Sequence, residues 1–430
     1  MKQFFTFLAG IFVSALLTSG ASAQSQPIDS ATTLDQFSET YVSATVSSSG
    51  KAVLLPAEIA QKIAEAKQLL RARSAVSANS VTLAALDTVT SQINLFSVPK
   101  DSFLIVGSDL EATTQLGRSV RLHVINANGV NTSVSVKDAT SGKQLVPLVV
   151  QYPIVKDGTI TETAYYTSAH PALMSTDVAT AGNTYVTSML ETAAQRLASD
   201  GQKISPEIIN VAEHLVIVEH TDHKRFLNED RGKIYPEVLT LYALNQGDTF
   251  RYSVSSAGAG GMIQMIPRTY AGIKQQHPTA NLKSDFVDGM RDHANALQAM
   301  LLYINDTWNY LQKNDEVQDA LRNGTATKAE LLAAGYNSNP MRLPAYLKNG
   351  GARWRTLIPA ETQMYLAIYK SVDGNVQFKN DGSPESLAQV ALPSAELGEF
   401  AASRGIGVMV LTWLSKELEV STQLLVSRRW

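Results

Sequence analysis

The sequence predicts an α+β multidomain protein, with a small α+β accessory domain over residues 51–175 and a mainly α-helical domain over 180–371. Three observations carry this. In "FLIVGS", "VRLHVINANG", "SVSVKD" and "LVPLVVQYPIV", β-branched residues alternate with polar ones between Gly, Asn and Asp breaks, which is the period of strands. From about residue 180 the pattern turns helical, and almost nothing strand-like follows until 371. At 430 residues and 44% hydrophobic, the chain has enough apolar content for two or three cores.

The elements follow in chain order. Residues 1–23, "MKQFFTFLAGIFVSALLTSGASA", hold one lysine, a long apolar run and small residues before Gln24, the pattern of an export signal cleaved after Ala23. That run is too short for a stable membrane anchor, so a periplasmic or secreted location is expected. The Ser/Thr/Ala-rich stretch 24–50 reads as a flexible leader. From Pro56, "PAEIAQKIAEAKQLLRAR" is an amphipathic helix with Ile59, Ile63 and Leu70 on one side. A second helix is expected over about 80–95, ahead of the strands. His123 and His170 read as surface or packing residues. In the helical domain, "SPEIINVAEHLVIVEH" begins with Ser205 as N-cap and Pro206 in the first turn.

Composition excludes several chemistries. With no cysteine there is no disulfide framework, thiol nucleophile, cysteine-based zinc site or acylated lipoprotein anchor. The net charge of −3 becomes −4 once Lys2 leaves with the signal, which offers no basic face for a nucleic acid.

The stretch "SVSSAGAGGMIQMIPRTYAGI" (Ser253–Ile273) decides the functional question. It is no dinucleotide loop, because Ile263 stands where the third glycine belongs, and no phosphate loop, because Met262 and Ile263 stand where Lys-Ser/Thr is needed. A linker would not run straight into "MIQMIP". Small residues that let the backbone approach something closely remain, with a helix expected to start near Met262 and Gln264 as the polar residue of an apolar segment.

The segment Ser255–Pro267 resembles the S-x-x-G-A-x-G-L-M-Q-x-M-P signature of soluble lytic transglycosylases. Two further segments occur in that family's order: "AAGYNSNPMRL" (Ala333–Leu343) resembles A-Y-N-A-G-P-x-R-V, and "ETQMY" (Glu361–Tyr365) resembles E-T-x-x-Y. The resemblance covers roughly 200–371. It implies a goose-type lysozyme-like catalytic domain acting on peptidoglycan glycan strands, with no cofactor and no metal, and with envelope or secretion machinery as a further class of partner.

The family's acid lies in V-x-x-E-S-x-F near a helix end, and "LVIVEHTDHKRF" offers Glu219 there, where Val216, Ile217 and Val218 can desolvate it and raise its pKa. His220 replaces the family's serine. The 36 positions from Glu219 to Ser255 exceed what the family's compact forms need, so the intervening residues read as an insertion at the cleft rim, a lid or a flap. Glu237 within that insertion is the second candidate acid. His220, Asp222 and His223 lack a further ligand at metal spacing and read as surface polar groups.

For the supporting roles, Ser255 and Gln264 would hydrogen-bond the acetamido group or hydroxyls of the sugar, and Met262 and Ile263 would form an apolar floor. Tyr336 would orient Glu219 and Asn337 would fix its loop. The resemblance puts Glu361 and Tyr365 near the sugar groove. In the middle motif, Asn339 and Met341 replace small residues. Residues 372–430 read as a helical extension, with two helices around Gly405 and Gly407 that resemble a LysM-like wall-binding unit. Two alternatives to a transglycosylase stay open: a goose-type lysozyme-like hydrolase using Asp230 or Asp248 to position water, and a wall-binding scaffold without turnover.

Overall fold

The computed structural model describes residues 56–73 and 76–378. The signal, the leader and positions 379–430 of the extension lie outside the described residues. What is described is α+β: a sheet domain that nearly closes into a barrel, then a helical domain.

Helix α1 (Pro56–Arg71) buries Ile59, Ile63, Ala66 and Leu70 on one stripe. Strands β1 (Ser80–Asp87) and β2 (Gln92–Pro99) form an antiparallel hairpin where a helix was expected. The reason is that β1 is covered on both faces. Leu83 and Ala85 point into the barrel while Ala84 and Leu86 point at α1, so no polar alternation marks the strand. After the short helix α2 (Lys100–Phe103) come β3 (Asp109–Thr113), β4 (Ser119–Asn126), β5 (Ser133–Asp138), β6 (Gln144–Lys156) and β7 (Thr159–Tyr166). "FLIVGS" is not a strand: the chain turns through Gly107 at φ 83°, and Ile105 and Val106 are exposed.

The strand order is β2-β1-β6-β5-β4-β3, with β7 on β6 and every pair antiparallel. Beyond β3, Gln115 draws the two edges together. Its N–H donates to Leu95 O over 2.9 Å and its side chain pairs with Leu95 N–H and Ile93 O. Alternate residues of the strands, among them Leu83, Phe96, Leu122 and Val136, fill the interior.

The helical domain runs through α3 (Thr176–Ser199), α4 (Pro206–Val218), α5 (His223–Asn228), α6 (Arg231–Asn245), α7 (Pro267–Gln276), α8 (Phe286–Arg291), α9 (His293–Leu311), α10 (Asp315–Arg322), α11 (Lys328–Asn337), α12 (Leu343–Gly350) and α13 (Ala360–Asn375). Helix α9 is the hub, buried without interruption from His293 to Leu302. Ser205 takes the N-cap backbone of α4, but its hydroxyl makes no cap bond.

Of the residues read as a rim insertion, those of α6 from Ile234 onward are core, whereas 227–233 are exposed. Helix α6 buries Ile234, Tyr235, Val238, Leu239, Leu241, Tyr242 and Leu244, and it packs so tightly on α3 that a Cβ at Gly182 would lie 1.8 Å from Leu239 O. Leu241 also enters the core of the sheet domain. Among the described residues no helix is long and apolar enough to cross a membrane.

Candidate active site

Helix α4 is buried from Val211 to Val218 and delivers Glu219 at its C-terminal end, where the Glu219 N–H donates to Leu215 O over 2.9 Å. The residue as a whole is partly exposed, while its carboxyl is desolvated. From α13, the Tyr365 hydroxyl donates to Glu219 Oε1 over 2.6 Å. Desolvation pushes the Glu219 pKa up to about 8; the Tyr365 bond opposes this, and the charge of Glu361, one turn before Tyr365, adds to it. The negative end of the α4 dipole works in the same direction. At neutral pH this carboxyl holds a proton.

The structure reassigns Tyr336. Its hydroxyl donates to Ile263 O over 2.8 Å, and Tyr365 rather than Tyr336 holds Glu219 directly. Tyr336 is nevertheless near enough for the Glu219 charge to act on its phenol.

The glycine segment runs as a compact double turn from Ser253 to Met265, closed by bridges from Gly260 to Val254 and to Met265. Helix α7 starts at Pro267, not near Met262. Gly261 sits at φ 68°, and a Cβ there would lie 2.7 Å from Met290 O, which accounts for the small residues: they let the turn lie flat on α8. Met262 and Ile263 face the core with no exposed surface, so they form no floor for a sugar. Their carbonyls are instead gripped from two sides, Met262 O by His220 Nε2 over 3.0 Å and Ile263 O by Tyr336.

His220, expected as a surface polar group, is instead a brace packed into the structure. Its ring stacks on Phe250 with centroids 3.3 Å apart and 2° between planes. Burial pushes its pKa down to about 3, so the ring is neutral and its Nε2–H is the donor to Met262 O. Its position directly after Glu219 was the available signal.

Gln264 is partly exposed and held at φ 45°, and its Nε2 donates to Ser253 Oγ over 3.1 Å and Gly261 O over 2.8 Å. That leaves its carbonyl oxygen open to a ligand donor. Ser255 is exposed, and its Oγ accepts from Ala259 N over 3.1 Å, leaving its own proton to donate. Asn337 Oδ1 accepts from Thr362 Oγ1 over 2.8 Å and ties α11 to α13. Glu361 is exposed in the first turn of α13. Asn339 caps the turn at Pro340–Arg342, where Met341 is exposed.

The other acids have different duties. Glu237 takes both terminal nitrogens of Arg225, at 2.9 and 2.7 Å. Asp222 and Asp230 cap α5 and α6, and Asp248 lies 3.8 Å from Lys67. Among the described residues no group of three or more His, Asp or Glu side chains gathers as a metal site. A cavity of about 540 Å³ lined by Arg251, Lys283, Asp285, Asp288, Arg291 and Asp292 does not include Glu219.

No family model, curated protein or solved structure matches the chain. The assignment of chemistry therefore rests on the motifs and on the geometry around Glu219.

Proposed function

We propose that the chain is a peptidoglycan lytic transglycosylase with a lysozyme-like helical domain, exported to the periplasm or beyond, that cleaves the β-1,4 bond between N-acetylmuramic acid and N-acetylglucosamine. The observation that carries this is the Glu219 carboxyl at the end of α4, raised to a pKa of about 8 and held by Tyr365.

The chemistry balances with that one group. Glu219 gives its proton to the bridging oxygen as the bond from C1 to that oxygen breaks, and the substrate's acetamido oxygen stabilises the anomeric centre. The Glu219 carboxylate then takes the proton of the muramoyl 6-hydroxyl as O6 bonds to C1. The product is a 1,6-anhydromuramoyl end; no water is consumed, and Glu219 ends protonated as it began. Acid–base catalysis of this kind calls for no metal or cofactor. The open oxygen of Gln264 and the Ser255 proton are suited to the acetamido group or a sugar hydroxyl.

A hydrolase would pair the acid with a second carboxylate that activates water. Asp230, which caps α6, and Asp248, beside Lys67, favour the one-carboxyl reading instead. Glu219→Gln, incubated with purified sacculi beside wild type, tests the proposal. Release of muropeptides is expected to disappear while binding to sacculi persists; equal release, or binding without release by either protein, would point to another acid or to a scaffold.

A further inference from the structure

The sheet domain reaches the surroundings of the glycine segment through one carboxylate on β7. Glu162 Oε2 accepts from Arg291 Nη2 over 2.9 Å, and its Oε1 accepts from the Tyr252 hydroxyl over 3.1 Å and from Arg251 Nη2 over 3.3 Å. Two of these partners lead into the glycine segment and the third stands on α8, against which the segment lies. Arg251 and Tyr252 run directly into Ser253, whose hydroxyl receives Gln264 and whose carbonyl accepts from Gly261 N over 3.1 Å. Arg291 follows Met290, whose carbonyl would lie 2.7 Å from a Cβ at Gly261.

Further ties run from the end of β7 to the same approach. The Tyr166 phenol hydrogen-bonds the backbone of Phe250, the residue that stacks on His220. Asn245 and Thr167 exchange reciprocal bonds of 2.9 and 2.8 Å. Phe250 itself is held at φ 56°, a conformation that a bulky residue keeps only when its surroundings impose it.

We propose that β7 is a splint for the active site, and that Glu162 is a positioning residue that sets the distance between the start of the glycine segment and α8 and hence the aim of Gln264. The role in turnover rests on the transglycosylase reading; the mechanical role does not. Burial works against the charge of Glu162, but Arg291, Tyr252 and Arg251 outweigh it and hold its pKa below the usual carboxylate range. Glu162→Gln keeps the shape of the side chain and removes the charge that gathers its three partners.

The test pairs amide hydrogen exchange with kinetics on sacculi, using the full mature chain as wild type, Glu162→Gln and Tyr252→Phe. In Glu162→Gln, exchange across 253–265 is expected to rise about tenfold, the effect of losing one charge-assisted hydrogen bond, while α9 keeps its protection. The kcat is expected to fall about tenfold with KM within about twofold, since the lost element is aim and not affinity. Tyr252→Phe should raise exchange in the same window by a smaller factor, and it carries the test if Glu162→Gln does not fold. Unchanged exchange at 253–265 in the folded variants, a rise spread evenly over the helical domain, or an unchanged kcat in folded Glu162→Gln would overturn the proposal. If exchange rises locally while wild type releases no product, the splint stands and the transglycosylase reading fails; the reverse pattern sinks the splint alone.

Discussion

Tyr365 and Glu219 lie 146 positions apart in the chain, and their side chains meet over 2.6 Å. The phenol favours the charged carboxylate, whereas burial favours the acid. Tyr365→Phe should therefore raise the Glu219 pKa above about 8 and shift the alkaline limb of the release-rate profile to higher pH. The rate at neutral pH should drop about tenfold for want of orientation. A pH series of muropeptide release measures both effects, and an alkaline limb that stays in place would show that Tyr365 does not govern this proton.

The same proton links stability to pH. Glu219 has a folded pKa of about 8 against 4.5 for the free group, so between these values the folded chain holds a proton that the unfolded chain releases. The destabilisation is absent below pH 4.5, grows as pH rises and is complete above about 8. Glu219→Gln should thus be more stable than wild type at alkaline pH, by on the order of 2 kcal/mol after allowing for solvent screening of a partly exposed group. Denaturant midpoints at acid and alkaline pH read this out; a difference that does not grow with pH would mean the carboxyl is not desolvated.

Glu237 separates the two candidate acids. Because it is clamped by Arg225, Glu237→Gln should leave release within about twofold of wild type and cost no more than about 1 kcal/mol, as expected of a half-exposed ion pair. Loss of release with the fold intact would transfer the acid's role to Glu237.

Gly182→Ala probes the placement of α6. With its Cβ 1.8 Å from Leu239 O, the variant must push α3 and α6 apart, which should cost about 3 kcal/mol in denaturant unfolding. A neutral result would return residues 231–245 to the rim of the cleft.

How far the sequence could be read follows from which signals were local. Helix α1 and strands β4 and β5 each repeat a period that a linear reading detects, while β6 and the helix leading to Glu219 stand out as unbroken apolar runs. β1 did not, because Ala84 and Leu86 serve one core while Leu83 and Ala85 serve another, which erases the alternation. Helix α6 contains Pro236 and ends in Asn245, residues typical of loops, yet the Asn245 amide is satisfied far along the chain at Thr167. At the site, the desolvation of Glu219 was legible because its apolar neighbours adjoin it in sequence. The exchange of roles between Tyr336 and Tyr365, the inward turn of Met262 and Ile263 and the clamp by His220 were not, since each depends on how α11, α13 and the glycine segment face one another.

The most direct measurement is the mass of the glycan ends released from sacculi by wild type and by Glu219→Gln. Wild type should yield muramoyl ends one water lighter than hydrolysed ends, and Glu219→Gln should yield none. Ends of hydrolysed mass from wild type, or anhydro ends made equally by Glu219→Gln, would contradict a mechanism in which this one carboxyl gives and retakes the proton.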